Sequence, residues 1–268
     1  DDSLRPLRMV GIHQDISQRK LMELRDNYRG LVLEQLVQGV QLSVILQSIV
    51  HALEKDDSTM LCSVLLLDDS GKHLLTGAAP SLPRFYNEAI NGVEIADNTG
   101  SCGTAAFFRK RVVVEDIQTH PYWAAYKALA AKAQLGSCWS EPIMGSNDTL
   151  LGTFAIYHQQ EKAPDEHDIK LIEFAAQLAT VAIERFKADE KLRLSASVFK
   201  DAHEGITITD ANALIIDVNP TFSEITGYSR EEVIGKNPNI LNSGKQSPEF
   251  YADMWKTIAE QGFWQGEV

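Results

Sequence analysis

The sequence has few cysteines, no long apolar run and a deficit of positive charge. Its three cysteines, Cys62, Cys102 and Cys138, are too few and odd in number for a disulfide framework, which indicates reduced thiols and a cytoplasmic protein. No apolar run approaches the roughly 18 residues of a membrane span, so no span is expected in this chain. The net charge of −12 argues against binding to nucleic acid or to an anionic membrane surface.

Motifs of known catalytic chemistry are also missing. No phosphate-cradling glycine loop is visible, and the pair His51 and Glu54 lacks a third ligand for a metal ion. We therefore expect no catalytic residue and no metal site in this chain. What the sequence does contain is 44% hydrophobic residues among 268, which allows a sizeable core in one or two domains.

The most informative segment is a glycine-punctuated turn, Gly100-Ser-Cys-Gly-Thr-Ala-Ala-Phe107, that runs into small, helix-favouring residues. The N-terminus of a helix carries unpaired N–H groups and a partial positive charge, so it can hold an anion or a polar ligand edge. Cys138 follows thirty-six residues after Cys102, in the segment Ser137-Cys-Trp-Ser-Glu-Pro-Ile143. The two segments together predict a small-molecule sensor.

Hydrophobic spacing predicts the secondary structure. In two long helices, at residues 18–36 and 165–194, apolar residues recur every three or four positions, which is typical of a two-stranded coiled coil. We therefore expect a parallel homodimer, although a helix packed only on its own sheet explains the second pattern equally well. Strands are expected at residues 60–67, 73–79, 112–115, 138–144 and 152–157, and further helices at 37–55, 82–91, 100–108 and 124–133.

The middle of the chain resembles a GAF domain. The resemblance lies in the glycine-rich turn and in Val113-Val-Glu-Asp-Ile117, Cys138-Trp-Ser-Glu-Pro-Ile143 and Leu151-Gly-Thr-Phe-Ala-Ile-Tyr157. It implies an α/β (α+β) fold over residues 37–190, with a central antiparallel sheet flanked by helices and a long C-terminal signalling helix.

The N-terminal flank resembles the end of a PAS domain. Asp15-Ile-Ser-Gln-Arg-Lys20 is similar to the exit motif of that family. The resemblance implies that residues 1–17, with a strand at 7–16, are the last strand of a truncated PAS domain, and that residues 18–36 are a linker helix.

The C-terminal flank resembles the beginning of a second PAS domain. Its first strand is expected within Val198–Asp210, and Val218-Asn-Pro-Thr-Phe-Ser-Glu-Ile-Thr-Gly-Tyr228 is a hallmark of the family. Asn219 is expected to cap the helix that begins at Pro220. The resemblance implies an incomplete PAS domain over residues 191–268, with a helix at 247–261 and a strand that starts at Trp264.

In the GAF resemblance, the segments around the turn and after the fourth strand enclose a ligand cavity. Two readings stay open: these side chains bind a small molecule or report a redox change, or they are simply packed core, with the cysteines as small buried residues. A thiol enzyme, similar to the free methionine sulfoxide reductases that resemble small GAF domains, is a remote third reading. The candidate ligand-binding residues are Cys102, Thr104, Asp116, His120, Trp123, Tyr126, Cys138 and Trp139.

The second PAS segment also resembles flavin-binding PAS domains of redox and aerotaxis sensors, which implies FAD in the intact domain. Many signalling PAS domains share these residues without a flavin. Pro238 stands where light-sensing relatives carry an adduct-forming cysteine, so adduct chemistry is excluded. The candidate cofactor-binding residues are Asn219, Asn237, Trp255 and Trp264.

Together the resemblances imply the sensory region of a bacterial signalling protein, which relays a ligand or redox signal through dimeric helices to a C-terminal output domain. The GAF motifs look like those of cyclic-di-GMP cyclases and phosphodiesterases, the GGDEF and EAL proteins, so that output is expected first. A histidine kinase output and a ligand-free dimerisation scaffold are the alternatives. The residues do not identify the ligand.

Overall fold

A six-stranded antiparallel sheet organises the N-terminal part of the computed structural model, which describes residues 17–242 and 244–266. Contacts divide the chain into two compact units between Ala188 and Asp189. The sheet confirms the expected fold class. In the order β3-β2-β1-β6-β5-β4, its strands are β1 (Leu61–Leu67), β2 (His73–Ala78), β3 (Val93–Glu94), β4 (Val112–Val114), β5 (Ser137–Met144) and β6 (Leu150–His158).

Helices cover both faces of this sheet. They are α1 (Ser17–Val37), α2 (Leu42–Asp56), α3 (Arg84–Ile90), α4 (Gly100–Phe108), α5 (Lys127–Lys132) and α6 (Glu166–Asp201). Residues of α2 and α6 share one hydrophobic core with Phe154 and Ile156 of β6. Ala155 and Tyr157 point to the other core, which includes residues of α3 and α4. Successive side chains of a strand face opposite sides, so β6 is buried on both.

Two helix boundaries differ from the prediction by five residues or more. The helix expected at 37–55 begins at Leu42, because α1 continues to Val37 and Gly39 then adopts a left-handed conformation (φ 69°) that breaks it. The helix expected to end near Leu194 runs to Asp201. No glycine or proline occurs between residues 166 and 201 to stop it.

The C-terminal half of α1 packs inside its own unit. Val32 is 1% exposed and lies in the core shared with α2, whereas Leu31 is 40% exposed. The Tyr28 hydroxyl donates to the carbonyl oxygen of Ala52 at 3.0 Å. The two-stranded seam expected over residues 18–36 stays a prediction. The strand expected at residues 7–16 lies outside the described residues.

The second unit is smaller. It contains the antiparallel pair β7 (Thr207–Thr209) and β8 (Ile215–Val218), and the helices α7 (Pro220–Thr226), α8 (Arg230–Val233) and α9 (Pro248–Gln261). The first PAS-like strand is shorter than expected, because α6 occupies residues 198–201. Residues 264–266 do not form the expected strand. Within the described ranges no neighbouring strand pairs with them, and a strand is stable only beside a partner.

Candidate ligand cavity

A small cavity lies where the first turn of α4 meets the segment that contains Trp123 and Tyr126. Its volume is about 30 Å³, enough for one or two water molecules. Aromatic, hydroxyl and thiol groups dominate its wall, and no Asp, Glu, Lys, Arg or His lines it. The lining residues are Leu65, Tyr86, Ile90, Val93, Thr99, Gly100, Ser101, Cys102, Gly103, Trp123, Tyr126 and Tyr157.

The two glycines of the turn place α4 against the cavity. Gly100 has a φ of 59°, a left-handed conformation that favours glycine. A Cβ on Gly103 would lie 2.7 Å from the carbonyl oxygen of Glu94, so only glycine allows this close approach to β3. Thr99, just before the helix, makes no side-chain capping bond. The first turn of α4 therefore meets the cavity without a side-chain cap.

A chain of buried hydrogen bonds lies beside the cavity. The indole Nε1 of Trp123 donates to the Ser101 hydroxyl at 2.9 Å. That hydroxyl donates in turn to the carbonyl oxygen of Cys138 at 3.2 Å. Trp123 is 3% exposed and Ser101 is 1% exposed, so both bonds are shielded from water. They join the covering segment to α4, and α4 to β5.

The tyrosines of the cavity stay neutral. Burial raises the pKa of Tyr86 and of Tyr157 well above the usual value. Their rings meet edge to face with centroids 6.0 Å apart. The Cys102 sulfur lies 3.9 Å from the Tyr157 hydroxyl. The site therefore offers neutral polar groups and aromatic faces to a ligand.

The structure brings three of the eight predicted GAF residues, Cys102, Trp123 and Tyr126, to the cavity wall. Cys138 is fully buried in the same core but does not line the cavity. Thr104 is also buried, and its hydroxyl accepts a hydrogen bond from the Thr99 amide at 3.2 Å, which stabilises the turn.

Asp116 and His120 are used in local turns. The Asp116 carboxylate accepts from the Gln118 amide at 2.8 Å and from the Thr119 hydroxyl at 2.6 Å. These bonds, that from Thr119 first, lower its pKa. His120 accepts from the Tyr122 amide at 3.2 Å and stacks on that ring. Neither side chain is brought to the cavity.

Trp139 lies on the opposite face of the sheet, so its placement beside the cavity was wrong. It follows Cys138 directly in β5, and adjacent strand residues point to opposite sides. Its ring is fully buried in the core of α2 and α6. Its Nε1 donates to the carbonyl oxygen of Lys162 at 3.0 Å, and the Lys162 ammonium lies 5.2 Å from the ring centroid.

Sequence reasoning missed Ser101, Tyr86 and Tyr157. A signal existed for Tyr157, because antiparallel pairing of β5 with β6 sets it opposite Cys138, and directly paired residues share a face. Ser101 and Tyr86 carried no comparable signal. A serine in a turn is usually exposed, and a tyrosine in a short helix is usually a core residue without a functional role.

The four residues proposed for a flavin are engaged in other ways. Asn219 accepts from the amides of Ile206 and Phe222 and donates to the carbonyl oxygen of Glu204, and it caps α7 as predicted. The Asn237 side chain accepts from the Asn239 amide.

The tryptophans do not supply a ring pocket either. Trp255 is 52% exposed, and Trp264 packs edge to face on Phe250 at 5.7 Å. The described residues therefore do not form a flavin site around these four side chains. Across the same described residues, no cluster of three His, Cys, Asp or Glu side chains is placed to hold a metal ion. No helix among them is long and apolar enough to cross a membrane.

Two family models match the chain. One describes the GAF domain and covers residues 40–184, and the other describes the PAS fold and covers residues 195–267. The chain is similar to a methyl sulfide methyltransferase-associated sensor of Methanosarcina acetivorans, with 36% identity over 93% of this chain and 26% of that protein.

Two further similarities are more limited. A nitrogen fixation regulatory protein of Klebsiella oxytoca is 36% identical over 27% of this chain and 14% of its own length. The chain thus spans about a quarter or less of these relatives. A solved structure from Burkholderia vietnamiensis, described as a GAF sensor protein, covers 64% of this chain and 98% of its own, with a TM-score of 0.50 and 19% identity. That likeness concerns the fold alone.

Proposed function

We propose a sensory function from one premise: the chain belongs to the GAF domain family, through residues 40–184. With the PAS fold beside it and relatives named as a sensor and a regulatory protein, it is a regulatory region of a signalling protein. Such names support a non-enzymatic role for this region. The observation that carries the finer proposal, binding of a small ligand, is the partly enclosed aromatic cavity under the first turn of α4.

The wall of the cavity suggests the class of ligand. Its lining contains aromatic and hydroxyl groups and no Asp, Glu, Lys, Arg or His, so a small, planar molecule suits it. The volume of about 30 Å³ is smaller than such a molecule. Binding therefore requires the segment with Trp123 and Tyr126 to move outward. Cys102 remains a proposed ligand contact; Thr104 and Cys138 support the wall.

An ion-pair bridge offers a route from this site to the long helix. Arg111 follows α4 directly and pairs with Glu141 on β5 and with Glu173 on α6. Burial raises the pKa of Glu141, while the Arg111 guanidinium opposes that rise. A shift of α4 would therefore move Arg111 and change its ion pair with Glu173 on α6. We propose that α6 carries this movement toward an output domain in a parallel homodimer, in the cytoplasm.

The output domain itself is a proposal. The motif resemblance supports a cyclic-di-GMP cyclase or phosphodiesterase, and a relative named as a sensor is also compatible with a histidine kinase. Incubating the full-length protein with GTP, with cyclic-di-GMP and with radiolabelled ATP separates these outputs. Formation or hydrolysis of cyclic-di-GMP supports the first, and autophosphorylation supports the second.

The ligand proposal is tested on the purified chain by native mass spectrometry with an absorbance spectrum. Tyr126→Ala removes a wall residue, and Tyr122→Ala is its matched control because Tyr122 lies in the same segment outside the cavity lining. A bound molecule is expected in the wild type and the control. Its affinity for Tyr126→Ala should fall about tenfold, as expected for an aromatic contact of about 1.5 kcal/mol. If the purified wild type carries no small molecule and takes none up from a metabolite extract, the result supports the alternative of a ligand-free scaffold.

The dimer is tested separately by analytical ultracentrifugation at micromolar concentration. Leu192, Leu194 and Val198 are 65–68% exposed on α6, where a second copy could cover them. Leu192→Glu should weaken the dimer, whereas Ser195→Glu adds the same charge at an exposed polar position of the same helix and should weaken it less. A monomeric wild type contradicts the dimeric relay but leaves ligand binding unaffected.

A further inference from the structure

Two buried thiols meet between α4 and β5. The Ser101 hydroxyl bonds to the Cys138 carbonyl at 3.2 Å, which holds the first turn of α4 against the middle of the sheet. The neighbouring residue, Cys102, points into the same core as Cys138. The Cys102 sulfur lies 3.9 Å from the Tyr157 hydroxyl, and Tyr157 pairs directly with Cys138 between β6 and β5, on the same face of the sheet. Both cysteines are free. The two thiols therefore share one small group of buried side chains.

The surroundings of Cys102 favour its thiolate. Hydrogen bonds from neighbouring groups, the Cys138 thiol first, lower the pKa of Cys102, whereas burial raises that of Cys138. The hydroxyls of Ser140 and Thr153 are buried without a hydrogen-bond partner of normal length. Both hydroxyls contribute to the lowered pKa of Cys102. An anionic sulfur would give these two unsatisfied donors an acceptor.

Access distinguishes the two sulfurs. Cys102 lines the cavity, and Cys138 lies behind it. With a volume of about 30 Å³, the cavity admits a molecule about the size of one or two waters, which includes hydrogen peroxide. Cys62 is the internal reference: it is fully buried in the opposite core, does not line the cavity, and burial raises its pKa.

We propose that Cys102 and Cys138 form a peroxide-responsive thiol pair, in which Cys102 is oxidised first and Cys138 resolves it to a disulfide. The Cys102 thiolate attacks one peroxide oxygen, the O–O bond breaks, and hydroxide leaves as the sulfenic acid forms. The Cys138 sulfur then attacks the Cys102 sulfur, the S–O bond breaks, and water leaves. In sum, two thiols lose two electrons and two protons, and hydrogen peroxide becomes two water molecules.

The consequence rests on the proposed sensory function, but the oxidation itself does not. A disulfide would join the first turn of α4 covalently to β5, next to the Ser101 bond that already connects them. The position of α4 sets both the cavity wall and the start of the Arg111 bridge. Oxidation would therefore fix the helix to which the displaced segment is bonded through Trp123 and Ser101.

The experiment treats the reduced, full chain with hydrogen peroxide and follows it by intact mass and peptide mapping after alkylation. The wild type and Cys62→Ser are expected to lose two thiols and to yield a 102–138 linked peptide. Cys138→Ser should stop at a sulfenic acid on Cys102 that dimedone traps. Cys102→Ser should react at least about tenfold more slowly, since its remaining thiols are protonated and enclosed.

Two further arms test the cavity and the pH dependence. tert-Butyl hydroperoxide is too large for the cavity and should oxidise Cys102 at least about tenfold more slowly than hydrogen peroxide does, relative to a small reference thiol. The peroxide rate should increase with pH as the Cys102 thiolate forms. Oxidation at Cys62 or Cys138 first, or a wild type without the 102–138 link, overturns the proposal. Because the wild-type map alone is decisive, a poorly folded variant does not obscure the result.

Failure of this proposal can be told apart from failure of ligand binding. Native mass spectrometry of the fully reduced chain reports a bound molecule whether or not the thiols can be oxidised. Conversely, the 102–138 link is detected whether or not a ligand is present.

Discussion

Ser101→Ala should destabilise the first unit, because it leaves the indole N–H of Trp123 buried without an acceptor. The Ser101 hydroxyl accepts that bond at 2.9 Å and donates to the Cys138 carbonyl at 3.2 Å. Trp123 is 3% exposed, so solvent does not reach its nitrogen easily. The change deletes one small oxygen and disturbs two partners.

The magnitude follows from those partners. A buried donor without a partner costs about 1–3 kcal/mol, and a lost hydrogen bond about 0.5–1.5 kcal/mol. We expect Ser101→Ala to lower the free energy of unfolding by about 2–3 kcal/mol. Trp123→Phe removes the donor of the same hydrogen bond. In the Ser101→Ala background that bond is already lost, so Trp123→Phe should cost less there than in the wild type. The two changes should therefore be coupled by about 1–2 kcal/mol.

The assay is urea unfolding of the wild type, both single variants and the double variant. Fluorescence of Trp139, fully buried in the first unit, reports the transition in all four. Trp255→Phe and Trp264→Phe in the common background remove the signals of the second unit. Additive losses, or a Ser101→Ala cost below about 0.5 kcal/mol, would show that water replaces the hydroxyl and would refute the reasoning.

Three other changes have defined outcomes. Gly152→Ala would set a Cβ 2.1 Å from the carbonyl oxygen of Leu65, so we expect a loss of about 3 kcal/mol or more in urea unfolding; a loss below 1 kcal/mol contradicts this. Asn219→Ala removes the cap of α7 and should lower the stability of the second unit by about 1–2 kcal/mol, seen as faster hydrogen exchange in α7. Burial, helped by Asp56, raises the pKa of Tyr28 to about 12. The unfolded chain therefore ionises first, and the stability advantage of wild type over Tyr28→Phe should be complete below pH 10 and shrink as the pH rises toward 12; an advantage unchanged at pH 11 contradicts it.

Much of the fold was predictable because it depends on local patterns. The expected strand at 60–67 is observed as Leu61–Leu67, and the glycine-rich turn opens α4 at Gly100. Both follow from side-chain periodicity and glycine conformation, which the sequence displays directly. The end of α6 was not predictable from amphipathicity. Its residues beyond Ala188 are largely exposed, so helix propensity without a breaker decided its length.

The candidate site was harder to predict, because membership in a cavity depends on pairing across strands. Cys138 and Trp139 are adjacent in sequence but lie in different cores. The alternation of side chains along β5 shows that these two residues face opposite sides, but not which side faces the cavity. The pairing of Cys138 with Tyr157 in β6 supplies that information. Asp116 and His120 are residue types that are common in binding sites. The same polar groups also accept hydrogen bonds from backbone amides in turns, which is their role here, so residue type alone did not place them at the cavity.

The proposed relay begins at the first turn of α4. A ligand that moves Trp123 outward breaks its bond to the Ser101 hydroxyl, which costs about 1 kcal/mol because the indole N–H then bonds to water. That cost weakens the apparent affinity about fivefold relative to a preformed open site. The same hydroxyl is bonded to β5 from the first turn of α4, and the chain after α4 leads to Arg111 and its partner Glu173 on α6. In the proposed relay, loss of the Trp123 bond therefore changes the contacts that hold α4 in place. A ligand that fills the cavity without breaking that bond is expected to bind without a signal, since it leaves those contacts unchanged.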